Sequence, residues 1–422
     1  MIRYLFILFQ FIILLIVASW AINKSQPVAF TFNDLIITTS TSILIIGLII
    51  IILITLFFQR IIFFINQTTL KFKIRKERIT YEKGYSSFLS GMVALANKDF
   101  TTAVTETKKV SKYFKDESLS LLLKSETLKI EKKYDKLNEV YEIMLKNTHT
   151  NLLGLRGLME QNIRAQDFHH AYIYGEKLFN LNPKIDKLYH TLINIIGKTN
   201  NWQKLFQIND LALRFRIIDK NIYEENKSIA LYEIAKIKRY DSKNEAIVLM
   251  EKALKLRTYF APYVAYYIQL LIDNNKLLKA KNYLHKVWSK FSHPILKDEI
   301  KLLSKAMKIS YYELVKSITV HSLNAFDSKI LLTESLIENE NWQEAKKQLS
   351  SLLEHKPKRE VCMLMAKIEE GDTNDPQRIN SWISRSNFGK LSKIWVCRIS
   401  NISQSDWSSV SKAGYFNSLD WK

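Results

Sequence analysis

A motif of the form polar, aromatic, two variable residues, then a small or apolar residue recurs along this chain at a fixed interval. It reads Asp99-Phe100-x-x-Ala103, Lys133-Tyr134-x-x-Leu137, Asp167-Phe168-x-x-Ala171 and Asn201-Trp202-x-x-Leu205. The closing positions 103, 137, 171 and 205 stand 34 residues apart. The register resumes at Ala246, Ala280 and Leu314, again in steps of 34, with Tyr311 preceding the last. Ala345, behind Trp342, follows 31 residues later. A period sustained through so much of a 422-residue protein excludes a single closed core. Each unit is too small to bury its own apolar face, so units must stack on their neighbours.

The spacing is that of the tetratricopeptide repeat, a helical hairpin. The aromatic opens the second helix and packs on the first, and the small residue lets the two helices approach closely. Trp202 and Trp342 therefore read as core residues. Pro183 and Pro357 each lie 12 positions after the small residue of their unit, where a proline ends the second helix. The step from Leu205 to Ala246 is 41, seven longer than the period, which predicts an irregular or extended helix pair near residues 210–245.

Two uncharged apolar runs precede the repeats, at residues 4–22 and 38–59. Each is long enough, at about 20 residues, to cross a ~30 Å hydrocarbon core as a helix. Arg60 and then Lys71, Lys73, Arg75, Lys76 and Arg78 follow the second run, whereas the loop between the runs has only Lys24 and Asp34. The excess of basic residues predicts both ends inside and the loop outside. A cleavable leader is the competing reading of the first run, from Arg3 and Ser19-Trp20-Ala21. The second run would then still leave the repeats inside. The loop PVAFTFNDLIITTS predicts an extended segment with a turn. The basic stretch is expected to lie near anionic headgroups on a stiff or amphipathic arm.

The net charge is +21, of which residues 1–65 contribute +2 (Arg3, Lys24 and Arg60 against Asp34). The remaining +19 is scattered lysine without interleaved arginine and aromatic residues, so specific nucleic-acid binding is not expected. Cys362 and Cys397 form no CxxC. Beyond Pro376 the pattern changes, with Trp395, Trp407, Phe416 and Trp421 spaced too irregularly for one helix face. The layout is that of a zinc ribbon whose ligand positions would be Cys397, Ser400, Val410 and Ala413, followed by Gly414. Only Cys397 is a ligand type, so a decayed ribbon without metal is expected. The alternative is an aromatic tail packed on the last helices.

Chemistry is sparse. The ten glycines form no dinucleotide or phosphate loop, and there is no GxSxG or HExxH. Gly154 and Gly157 make only a GxxG within a repeat. His169-His170 is the one conspicuous pair, read as two surface histidines with a haem or metal contact as the sharper alternative. Adjacent helical residues point about 100° apart and serve one ion poorly.

Two N-terminal spans around PVAFTFNDLIITTS, a basic stretch, and repeat openings such as LANKDFTTA and ENWQEAKKQLSSLLEHKP together resemble the HemY family of proteobacterial inner-membrane proteins. The resemblance extends over nearly the whole sequence and is architectural. It implies an all-α protein: a transmembrane hairpin over 1–65, a basic arm over 66–90, a repeat solenoid over 91–371, and a ribbon-like tail over 372–422. It further implies a non-catalytic, multi-pass inner-membrane scaffold that holds late haem-pathway enzymes on the cytoplasmic face. The flavin-dependent oxidase that shares the family name is excluded, because its dinucleotide-binding glycines are missing. The alternatives are a scaffold for lipopolysaccharide assembly, or a haem or porphyrin carrier.

Overall fold

The computed structural model describes residues 12–13, 15–17, 19–20, 23, 26–32, 35–114, 118–353 and 357–422. Of the first expected span, 4–22, most lies outside these residues; those described between 12 and 23 are helical. The protein divides into two compact units, Met1–Lys132 and Lys133–Lys422.

The first unit opens with an antiparallel hairpin, β1 (Pro27–Phe32) and β2 (Leu35–Ser40), in a register that pairs Val28 with Thr39 and Phe30 with Ile37. The hairpin closes on the following helix, where Thr41 N–H donates to Gln26 O at 3.0 Å. That helix, α1 (Thr41–Ala96), runs for 56 residues without a break. No glycine or proline interrupts residues 48–83, so nothing in the sequence stops it. Its first 25 residues, Thr41–Ile65, form the one helix among the described residues long and apolar enough to cross a membrane. At 1.5 Å per residue this apolar stretch is about 37 Å long, enough for a ~30 Å core.

The far end of α1 forms the first helix of a repeat with α2 (Phe100–Tyr113) and α3 (Ser118–Ile130). Val110, Phe114 and Leu123 are its core, with Phe88 and Leu95 of α1 against them. Gly91 allows the approach: a Cβ there would lie 2.7 Å from Leu123 Cδ2.

The second unit continues as hairpins: α4 (Tyr134–Lys146), α5 (Asn151–Arg164), α6 (Phe168–Leu181), α7 (Leu188–Thr199), α8 (Trp202–Arg214), α9 (Lys220–Asp241), α10 (Lys243–Leu256), α11 (Ala261–Asp273) and α12 (Leu277–Trp288). A 3-10 turn, Pro294–Leu296, leads into α13 (Lys297–Met307). Then follow α14 (Tyr311–Thr319), α15 (Phe326–Glu338), α16 (Trp342–Ser350), α17 (Arg359–Asp372) and α18 (Pro376–Asn387). The over-long step is absorbed by α9, whose 22 residues contain no glycine or proline. It is a longer helix rather than an irregular pair, started by Asp219, which accepts from Ile222 N–H at 2.8 Å.

The turn inside each hairpin has its own chemistry. Gln166, Asn200, Asn275, Glu340 and Asn374 all have positive φ, and each lies two residues before the next helix begins. In several, paired backbone bonds close the turn, as in Asp167 N–H to Asn162 O (2.9 Å) and Gln166 N–H to Ile163 O (3.1 Å). Glycine is the usual occupant of such a cap, yet this protein uses long polar residues at several of them.

The expectation of an all-α protein requires correction at both ends. The hairpin β1–β2 is one addition. The tail supplies the other, a three-stranded antiparallel sheet of β3 (Trp395–Cys397), β4 (Ser403–Gln404) and β5 (Leu419–Trp421) in the order β4-β3-β5.

Candidate functional site

The repeat signature residues fall at one structural address. Phe100, Tyr134, Phe168, Trp202, Tyr311 and Trp342 are each the first residue of a helix. Ala103, Leu137, Ala171, Leu205, Ala246, Ala280, Leu314 and Ala345 are all fully buried. Trp202 is buried, Trp342 half-buried and Phe100 exposed. Gly371 explains why Trp342 packs so closely, since a Cβ there would lie 2.4 Å from its ring.

In this register α7, α9, α11, α13, α15 and α17 are first helices, and their shared face is the natural binding surface of such an array. Between α7 and α11 that face is occupied by the protein's own C-terminal tail. The Phe416 ring lies tilted against Trp202 at 6.3 Å, and its N–H donates to Asn194 Oδ1 at 2.9 Å. Trp407 stands edge-on to Tyr232, Phe260 and Tyr263 at 5.4, 5.0 and 5.6 Å. Asn417 Nδ2 donates to Glu225 Oε2 at 3.2 Å. The tail therefore lies across the middle hairpins, and its strap also reaches the start of α17, where Arg359 N–H donates to Lys390 O. This cover also explains α11, in which almost every residue is buried although several are tyrosines.

A ribbon's ligand frame finds no support in the tail. Cys397 is fully buried, with its sulfur 3.3 Å from Ser418 Oγ. Val410 lies against the array, its Cγ2 2.7 Å from where a Cβ on Gly197 would be. Its side chain is thus committed to α7 rather than to a site shared with Cys397, Ser400 and Ala413. Among the described residues, no three His, Cys, Asp or Glu side chains gather as a metal site.

Beyond the tail, the first-helix face is charged. Lys297 Nζ bridges Glu334 and Glu360, each at 2.8 Å. Burial works against its charge, but these two carboxylates outweigh it and hold the ammonium above its ordinary value. Glu299 is a different case. One oxygen accepts from Gln269 Nε2 at 2.9 Å and the other has no partner among the described residues. Burial raises this carboxyl to about 7.

His169 and His170 sit exposed at the start of α6, with ring centroids 5.5 Å apart and nearly perpendicular. His170 Nδ1 lies 2.7 Å from Asp167 Oδ2, the residue that also caps the helix. The backbone and ring hydrogen bonds of His170 hold the Asp167 carboxyl below the usual range. His170 is thus engaged with the cap of α6. Lys71, Lys73, Arg75, Lys76 and Arg78 are exposed along α1, immediately after its apolar stretch; only Arg78 among them has a described ion-pair partner, Glu82 at 3.0 Å.

No curated protein matches this sequence. Among solved structures it is similar to Naa15/Naa10 bound to HypK-THB (12% identity over 74% of this protein and 54% of that one, TM-score 0.43). It is also similar to the TPR2AB-domain:pHSP90 complex of yeast Sti1 (9% identity, 72% and 99% coverage, TM-score 0.31). A third is pilF of Pseudomonas aeruginosa (12% identity, 61% and 99% coverage, TM-score 0.24). The match spans about half the length of the first of these. The family described as HemY protein N-terminus matches residues 27–131, which take in the β-hairpin, the whole of α1, and α2 and α3. This segment is similar to the HemY N-terminal family, and the match is confined to it.

Proposed function

We propose that the protein is a non-catalytic scaffold of the inner membrane that holds late haem-pathway enzymes at the cytoplasmic face. The observation that carries the reading is the continuity of α1. One unbroken helix is apolar enough to cross a membrane at its start and is the first helix of a repeat at its end. A partner held by the array is thereby held at a membrane. The basic residues between Lys71 and Arg78 favour the cytoplasmic side for that end, and a first span over 4–22 makes the anchor a hairpin. The link to haem synthesis rests on the family match over residues 27–131.

Affinity capture of the full-length protein, tagged at its C-terminus, crosslinked in its native membrane and mildly solubilised, tests the proposal. Enrichment of ferrochelatase or a protoporphyrinogen-oxidising enzyme is the expected result. Recovery of envelope-assembly proteins in their place would overturn the haem assignment and leave a scaffold of another kind.

A further inference from the structure

A cavity of about 480 Å³ opens where three first helices of the second unit begin. Its walls include His293, Phe326, Lys358, Lys390, Lys393 and Trp421. His293 precedes the turn into α13, Phe326 begins α15, and Lys358 precedes α17. Lys390 and Lys393 come from the strap joining α18 to β3, and that strap is tied down by Arg359 N–H donating to Lys390 O at 3.2 Å.

The charges in this cavity are unequally used. Its two acids are engaged: Glu360 by Lys297, and Asp327 by Ser292 Oγ at 3.3 Å. Burial additionally raises the Asp327 carboxyl. The cations are not so engaged. Lys390 and Lys393 have no acidic partner among the described residues, and Lys358 Nζ rests on the Phe326 ring, 3.6 Å from its centroid. A ring donor stands beside them without a described protein partner. His293 is only 8% exposed, and its Nδ1 accepts from Ile295 N–H at 3.2 Å. That bond places the ring proton on Nε2, which has no described acceptor. Burial and the charge of Lys393 depress the imidazole to about 4, so it stays a neutral donor at physiological pH. The N-caps of α15 and α17, Ala325 and Lys358, offer no side-chain acceptor, so both helix ends add positive potential. The remaining wall is mostly apolar, from Pro294, Phe326, Leu391 and Trp421, with Ser392.

We propose that this cavity binds the carboxylates of an acidic peptide segment carrying an apolar side chain, which seats on Phe326 and Trp421 while Lys390, Lys393 and the His293 Nε2–H take its oxygens. The proposal rests on the scaffold reading and names the chemistry of the partner. Acidic side chains and the free terminal carboxylate of a peptide share that chemistry. Phe416 and Trp407 line no part of the cavity, so a bound segment does not compete with them.

The test uses the full-length protein in zwitterionic nanodiscs and fluorescein-labelled ten-residue peptides read by anisotropy. One peptide carries glutamates around a single phenylalanine, a second is the same with an amidated C-terminus, and a third replaces every glutamate with lysine. Saturable binding of the acidic peptide alone is expected, weakened at least tenfold by the double change Lys390→Ala and Lys393→Ala. Both lysines are exposed, so the fold should survive their loss. His293→Phe keeps a ring on Trp421, removes the donor and is expected to weaken binding several-fold. Unchanged affinity on amidation assigns the carboxylates to side chains, and a marked loss assigns them to the terminus. No saturable binding, equal binding of the lysine peptide, or indifference to the double change would overturn the proposal. Such a failure is distinct from failure of the scaffold reading, because affinity capture in native membranes does not depend on this peptide chemistry.

Discussion

Replacing Phe416 by alanine should loosen the middle of the array, about 200 residues away in sequence, while leaving its C-terminal hairpins intact. Phe416 is 6% exposed and packs tilted against Trp202 of α8, beside Gly197 of α7. Burial of a phenylalanine stabilises a fold by about 1.5–3 kcal/mol, and the cavity left behind brings Phe→Ala to about 3–5 kcal/mol. Partial collapse of the tail onto α7 favours the lower figure. A repeat array is a poor subject for a single unfolding free energy, because its units couple mainly to their neighbours. Amide hydrogen exchange read segment by segment is the appropriate assay. A loss of about 3 kcal/mol corresponds to a roughly 150-fold faster exchange wherever opening is governed by the tail. That acceleration is expected in α7, α8, α9 and α11 and in the tail itself, with α15 to α17 unaltered. Unchanged exchange in α7 to α11 would refute the reasoning that the tail is their cover. Equal acceleration throughout the second unit would refute the assumption that the repeats are locally coupled.

Other consequences follow from particular residues. Glu340 holds φ at 55° in the turn before α16, a conformation costing a non-glycine residue about 1–2 kcal/mol. After the entropy glycine adds to the unfolded state, Glu340→Gly should stabilise α15 and α16 by several tenths to about 1 kcal/mol, seen as slower exchange there. The folded protein retains a proton on Glu299 up to about pH 7, whereas an unperturbed glutamate ionises near 4.5. Stability from this group is therefore present at acid pH and is lost as pH rises from about 4.5 through 7. Glu299→Gln should flatten that part of the stability–pH curve, as measured by denaturant midpoint at pH 5 and pH 8. Alkaline phosphatase fused after Asn33 should be active in a bacterial host, and the same reporter fused after Lys422 inactive; the reverse would invert the proposed orientation.

The repeat was legible because its physics is local. An aromatic at the first position of a helix and a small residue three places later sit on one face by helical geometry alone. Six helices begin at these aromatics, and the eight positions from Ala103 to Ala345 are fully buried. The apolar stretch of α1 was legible for the same reason, since composition over about 20 residues settles membrane compatibility. The extra seven residues before Ala246 announced an irregularity. Whether they would form a loop or lengthen a helix depended on the packing of α9, and the helix lengthened.

The tail and the cavity were not legible. Phe416 and Asn194 are 222 positions apart, and no periodicity links them. Residues with the look of a ribbon became the cover of α7 to α11, because the aromatic face of those helices supplies a larger apolar surface than a lone cysteine can organise. The cavity draws its walls from the turns before three helices and from a strap beyond the last. Local sequence therefore determined the repeating helices and the apolar anchor, where neighbours in sequence are neighbours in space. Only the tertiary structure decided what covers the array and where unpaired cations and a buried histidine meet, because those contacts join segments whose separation carries no pattern.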